Sequence, residues 1–397
     1  MNEIIKSEEP APRAWSPALD NAVWGKSFTW VLVTYLIIML AFIAIRVVAG
    51  LGWLSSLPEA VVEIGFSVVS QIIIMAMIPL VSIHIMRKKQ LIIPVTPKST
   101  FASFGFDKPT GRVIAYGFLL GIIAYFFNIF VSSLFNGTLM LLGYRFPVGE
   151  LGPWAGVGGF FVLITLVAVL PGFCEEVTHR GMLMKSFASR IGMMRAILFS
   201  SIMFGFMHLN VVQVFYAAIL GYMIALATVA TRSLWVGVIM HFMNNGLGIY
   251  LSFAGRYNWP LGGLMEGVFD LFGGFGIILF VVVIWGGFYA MMAIIQMFAR
   301  QNYQKDKYLS LAQIISANPN ILMRPDGGVY TLEEFGLNID NAVARMHSWR
   351  RLKFYLEPET ILGKRKMNLA RREATLFWGL LFLGGIITVF TLVWGFL

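Results

Sequence analysis

The sequence predicts an all-α polytopic membrane protein, on its composition, the length of its apolar runs and the placement of its charges. Of 397 residues, 58% are hydrophobic and only 13% charged, where a water-soluble chain carries about 25% charged residues. A bilayer span uses about 20 apolar residues, so this length fits eight or nine helices with their loops. The 40 glycines and 11 tryptophans suit packed membrane helices and their interfaces. One cysteine, Cys174, excludes an internal disulfide framework and any multi-cysteine metal or iron-sulfur site. The net charge of +10 points to anionic lipid at basic loops and not to nucleic acid, because basic excess in membrane proteins gathers on the cytoplasmic side.

The first 26 residues are polar, mix both charge signs and contain Pro10, Pro12 and Pro17. They read as a flexible cytoplasmic tail (1–26) without a cleavable signal. Apolar runs follow at about 28–49, 61–86, 113–135, 157–173, 194–209, 211–231, 233–253, 268–299 and 375–397, giving nine expected spans. Arg87, Lys88, Lys89, Lys98, Lys108 and Arg112 follow the second run, whereas the connectors 50–60 and 136–156 hold only Arg145 as a basic residue. This asymmetry places the amino terminus and the 87–112 loop in the cytoplasm. Alternation then puts Arg232 and residues 300–374 inside and the carboxyl terminus outside. The membrane bundle is expected over 27–299, a basic cytoplasmic insertion over 300–374, and a C-terminal transmembrane helix over 375–397.

The insertion carries thirteen Lys and Arg against eight Asp and Glu. Arg324-Pro325-Asp326-Gly327-Gly328 signals a turn, and the segment is too small to promise a core of its own, so helices against the membrane face are expected. Lys364, Arg365, Lys366, Arg371 and Arg372, just before the last span, suit contact with anionic lipid.

The informative groups are those that do not belong in lipid, since an unpaired charge at mid-depth costs at least about 2.5 to 3.5 kcal/mol on insertion scales. Pro171-Gly172-Phe173-Cys174-Glu175-Glu176-Val177-Thr178-His179-Arg180-Gly181 puts two carboxylates and an arginine directly after an apolar run. Phe204-Gly205-Phe206-Met207-His208 ends a second run in a histidine, and His241-Phe242-Met243-Asn244-Asn245 places another inside a third. Glu176 and Arg180 are four apart and share a helix face. Glu175 points about 100° away and is left for chemistry. His241 and Asn245 are also four apart, and His208 can supply a third wall. Such a set can hold a water, deprotonate it and stabilise an oxyanion. Each piece alone has a structural reading: an ion pair for Glu176 and Arg180, interhelical hydrogen bonds for the histidines and Asn245, and a small buried residue for Cys174. Glu175, His208 and His241 are also acceptable zinc ligands, although no His-Glu-x-x-His helix is present.

Glu175-Glu176-x-x-x-Arg180, Phe204-x-x-x-His208 and His241-x-x-x-Asn245, in that order, resemble the three motifs of the CPBP intramembrane proteases, the Abi group that includes the type II CAAX prenyl endopeptidases and bacteriocin-processing or self-immunity proteins. The resemblance spans about 155–255. It implies a bundle of eight helices, with the C-terminal helix an addition, and a glutamic endopeptidase acting on a membrane-associated peptide or protein without a cofactor. Glu175 would be the general base on water, His208 would orient that water, His241 and Asn245 would form the oxyanion site, and Glu176 and Arg180 would support them. A non-catalytic scaffold or immunity protein and a zinc-dependent peptidase are the alternatives. His179 departs from the pattern, which commonly has an aromatic or apolar residue before the arginine.

The span count leaves one conflict. It sets Glu175 near the cytoplasmic end of the fourth span and His208 near the far end of the fifth, about 20 Å apart at 1.5 Å per residue. Proton transfer needs contact at about 3 Å, so the Pro171-Gly172 step is expected to break the helix and carry Glu175 to mid-depth.

Overall fold

The computed structural model describes residues 24, 26–92, 104–106, 109–145, 154–263, 267, 274–363 and 367–394. The polar tail before residue 24 and the basic groups Lys98, Lys108, Lys364, Arg365 and Lys366 lie outside the described residues. Among the described residues every regular element is helical apart from one isolated bridge between Met323 and Val329. Of the described helices eight are long and apolar enough to span a bilayer: α1 (Phe28–Gly50), α2 (Glu59–Lys88), α3 (Gly111–Leu141), α4 (Val157–Ile191), α6 (Val211–Thr231), α7 (Leu234–Tyr257), α8 (Gly274–Lys305) and α12 (Arg371–Trp394). The chain is an integral membrane protein.

The fifth expected span is the exception. Its helix α5 (Met193–Phe206) has 14 residues, about 21 Å at 1.5 Å per residue, short of a hydrocarbon core of about 30 Å. Beyond it Leu209 takes a left-handed φ of 50°, Asn210 caps α6 by accepting from the Val212 N–H at 3.0 Å, and the Val211 N–H donates to Thr391 Oγ1 of the last span at 3.1 Å.

The expected break at Pro171-Gly172 is absent. The fourth span is not a run ending at 173 but one helix of 35 residues continuing to Ile191, with Glu175 beside its midpoint. Proline has no N–H to give the carbonyl four residues back. That carbonyl, Val167, accepts from Asn245 Nδ2 at 2.8 Å, so a side chain of α7 satisfies the backbone group that the proline leaves open. Wider π-helical turns lie on both sides, at Ile164–Val169 and Val177–Met184. With α4 long and α5 short, the 20 Å gap disappears and both motifs reach the middle of the bundle.

The expected C-terminal addition is packed into the assembly. Phe377 of α12 is fully buried, and its ring lies 5.0 Å from that of Phe199, 5.3 Å from Phe187 and 6.4 Å from Phe28. Inside the 300–374 segment lie α9 (Lys307–Ala317), α10 (Leu332–Ala344) and α11 (Ser348–Leu356). Contrary to the expectation of helices without a core, these bury a small cluster that includes Leu311, Ile314, Phe335, Ile339, Val343 and Phe354. Recurrence of Phe335, Ile339 and Val343 at four-residue steps gives α10 one apolar stripe. Its start is fixed by a capping box, in which Thr331 Oγ1 accepts from the Glu334 N–H and Glu334 accepts from the Thr331 N–H.

Candidate active site

The two adjacent glutamates of α4 part as helical geometry requires. Glu176 turns into the protein, where its side chain is 0% exposed. Its Oε1 accepts from Arg180 Nη1 at 2.7 Å and from His241 Nδ1 at 3.0 Å. Arg180, also 0% exposed, donates from Nη2 to the Gly221 carbonyl at 2.8 Å and lies 4.5 Å above the Phe204 ring. This carboxylate and guanidinium therefore join α4, α6 and α7 and fix the His241 ring. Glu175 turns the other way, into a cavity of about 570 Å³ that His208, His241, Asn244 and Asn245 also line.

Hydrogen bonding sets which nitrogen of each imidazole faces the cavity. His208 Nδ1 lies 3.1 Å from the Phe204 carbonyl. A carbonyl can only accept, so the proton sits on Nδ1 and Nε2 carries the free lone pair. His241 Nδ1 faces the Glu176 carboxylate by the same logic, which leaves its Nε2 at 3.9 Å from Glu175 Oε2. The Phe204 ring stands among these groups, 5.3 Å from the His208 ring and 5.6 Å from that of His241.

The structure brings all six sequence-predicted residues together, with Glu175, His208, His241 and Asn245 on the cavity and Glu176 and Arg180 behind it. Besides its bond to Val167, Asn245 accepts at Oδ1 from Asn244 Nδ2 at 2.9 Å, so one amide N–H remains for the cavity. His179 is fully buried and is directed away, its Nδ1 at 2.9 Å from the Glu175 carbonyl and its Nε2 at 3.2 Å from the Tyr35 hydroxyl.

Three residues near the site escape a reading of the sequence. Gln71 of α2 donates from Nε2 to Glu175 Oε1 at 2.8 Å. Asn128 of α3 donates to Asn244 Oδ1 at 3.1 Å, and the Tyr35 hydroxyl of α1 donates to the Met203 carbonyl at 2.8 Å. A signal for the first two exists: each is an amide inside an otherwise apolar run, where a polar side chain needs a partner. Among the described residues no group of three or more His, Cys, Asp or Glu is arranged as a metal cluster.

Residues 157–247 match the family model for type II CAAX prenyl endopeptidase Rce1-like proteins. This stretch is Rce1-like. The match runs from the start of α4 into the middle of α7 and contains Glu175, Glu176, Arg180, His208, His241 and Asn245. It places the resemblance drawn from the three motifs on a second footing, over the stretch that carries them. Tyr35, Gln71 and Asn128 lie outside the Rce1-like stretch, as does the 300–374 segment. No curated protein and no solved structure matches the chain.

Proposed function

We propose that this protein is an intramembrane endopeptidase in which Glu175 activates water against a peptide bond of a membrane-associated peptide or protein. The observation that carries the reading is the division of labour between adjacent carboxylates: Glu176 is sealed against Arg180 and His241, while Glu175 stands on the cavity wall opposite the free nitrogens of two histidines.

The chemistry runs on the side chains present. Water bound between Glu175 and His208 Nε2 gives a proton to Glu175 as its oxygen attacks the scissile carbonyl carbon. Negative charge moves to the carbonyl oxygen, where the remaining Asn245 N–H donates to it beside the His241 ring, which the Glu176 carboxylate holds in place. Collapse restores the carbonyl and breaks the C–N bond, and the proton held by Glu175 passes to the leaving nitrogen. The products are a carboxylic acid and an amine, and the glutamate is returned to its starting form. Gln71 holds one oxygen of Glu175 and thereby aims the other.

The test uses purified protein in bilayers with membrane-tethered peptides and a chelator. Cleavage is expected to persist after metal removal, and His208→Ala is expected to lower its rate by about 10²- to 10⁴-fold while the protein stays folded. Activity lost on chelation and restored by zinc would establish the metallopeptidase instead. A chain whose cellular role survives both Glu175→Gln and His208→Ala would be a scaffold.

A further inference from the structure

The cavity has a direction, and so does the charge of the bundle. One end collects most of the basic groups that sit close to the span ends, the opposite end holding Arg46, Arg145 and Arg256. Ser27 at the start of α1 touches Ser186 near the end of α4, and Lys89 at the end of α2 lies over the Trp30 ring at 5.1 Å. Arg112 at the start of α3 stands over Phe298 at 5.0 Å. Arg190 pairs with Glu373 at 2.5 Å, and Arg232 pairs with Asp306. These contacts place the ends of α2, α4, α6 and α8 and the starts of α1, α3 and α12 on one face, together with α9 to α11. By the bias of Lys and Arg toward cytoplasmic span ends, this face is cytoplasmic. Contacts at the opposite end join groups far from that basic face: Trp154 with Glu63, and Tyr257 with the Ala155 carbonyl at 2.6 Å.

The cavity extends from Glu175 toward this second end along four of the helices that line it, α1, α2, α4 and α7. On α4 its lining runs back to Leu163, away from Ile191; on α7 it runs from His241 forward to Ser252 and Phe253. On α2 it reaches back from Met75 to Phe66, and on α1 it reaches forward to Phe42 and Arg46. Met75, Phe204 and His241 at the deep end are buried; at the far end Arg46 and Ser252 are exposed, with Phe42 and Phe253 buried beside them. Arg46 on this rim rests against the Phe66 ring at 4.8 Å and has no carboxylate partner among the described residues.

We infer that the site opens on the non-cytoplasmic face, opposite the basic insertion, so that its substrate is a peptide segment presented on that side of the membrane, with Arg46 at the entrance favouring a carboxylate on the incoming chain. This rests on the proposed peptidase for the word substrate, but the direction of the cavity does not. Water and peptide reach Glu175 without crossing the half of the bundle that carries the cytoplasmic helices.

Cysteine accessibility tests the direction separately from the chemistry. The natural chain has one cysteine, Cys174, which is buried and serves as the blank. Ser252→Cys marks the rim and Ser316→Cys, on exposed α9 surface, marks the insertion, neither being part of the proposed machinery. In intact cells carrying the full chain in the plasma membrane, a membrane-impermeant maleimide is expected to label Ser252→Cys, and to label Ser316→Cys only after permeabilisation. Labelling of Ser316→Cys in intact cells, with Ser252→Cys protected, would overturn the inference. So would a Ser252→Cys that stays unlabelled before and after permeabilisation, which would mean that the cavity has no aqueous mouth there. Loss of cleavage in Glu175→Gln bears on the peptidase reading alone, and the labelling pattern is unaffected by it.

Discussion

Removing the charge of Glu176 exposes what holds the site together. Glu176→Gln keeps the shape of the side chain but leaves the Arg180 guanidinium, 0% exposed, without its anion. Breaking a buried pair by neutralising one partner costs about 3 to 5 kcal/mol. Arg180 keeps the Gly221 carbonyl and the Phe204 face, which sets the expectation at the lower end, about 3 kcal/mol, or roughly a hundredfold in the folded-to-unfolded ratio. Arg180→Met should cost a similar amount, because it strands the Glu176 carboxylate beside His241. The double variant Glu176→Gln/Arg180→Met strands neither charge and should cost less than the sum by about 2 kcal/mol or more. Reversible unfolding in mixed detergent micelles, followed by circular dichroism, measures all four proteins. Losses that add to within about 0.5 kcal/mol would show that the two residues act independently and would refute the reasoning.

Other expectations follow from individual contacts. A Cβ on Gly237 would stand 2.7 Å from Thr228 Oγ1 and 2.9 Å from Glu176 Oε2, so Gly237→Ala should displace Glu176 and reduce kcat more than it alters KM, while Gly286→Ala, with open space around it, should leave both unchanged. Gln71→Leu removes the donor that holds Glu175 Oε1 and should lower kcat more than it alters KM; an unchanged kcat would remove Gln71 from the positioning role. In the insertion, the Thr331 N–H, with Arg324 beside it, holds the Glu334 carboxyl below its usual range. Because the folded value is the depressed one, the cap contributes above the unfolded pKa and fades as pH falls through the folded pKa. Protection of the α10 amides, measured against the intrinsic exchange rate at each pH, should therefore fall on acidification, and Glu334→Ala should remove that change.

Membrane character, helical class and the identities of the six polar residues are legible in the sequence because each is written in local chemistry: long apolar runs, and charges standing where lipid cannot solvate them. Depth is not legible. Pro171 reads as a break, and only a partner from another helix, Asn245 on the Val167 carbonyl, shows how the helix continues through it. The run 194–209 reads as a span because Met207 and Leu209 prolong its apolar composition, yet the helix stops at Phe206. Gln71, Asn128 and Tyr35 are obscured for a different reason. Each belongs to a helix outside the motif-bearing stretch, and its relevance comes from a contact more than 100 residues away in sequence. The core of the insertion is likewise hidden, since the stripe of α10 acquires meaning only when Leu311 and Phe354 close over it.

Glu175, and not its neighbour, is proposed to take the proton from water. Single-turnover cleavage of a membrane-tethered peptide by Glu175→Gln, with folding checked by circular dichroism, tests it most directly. The cleavage rate is expected to fall by about 10²- to 10⁴-fold with stability close to that of the natural chain, because Glu175, unlike Glu176, holds no buried guanidinium. Turnover by Glu175→Gln at the unmodified rate would contradict it.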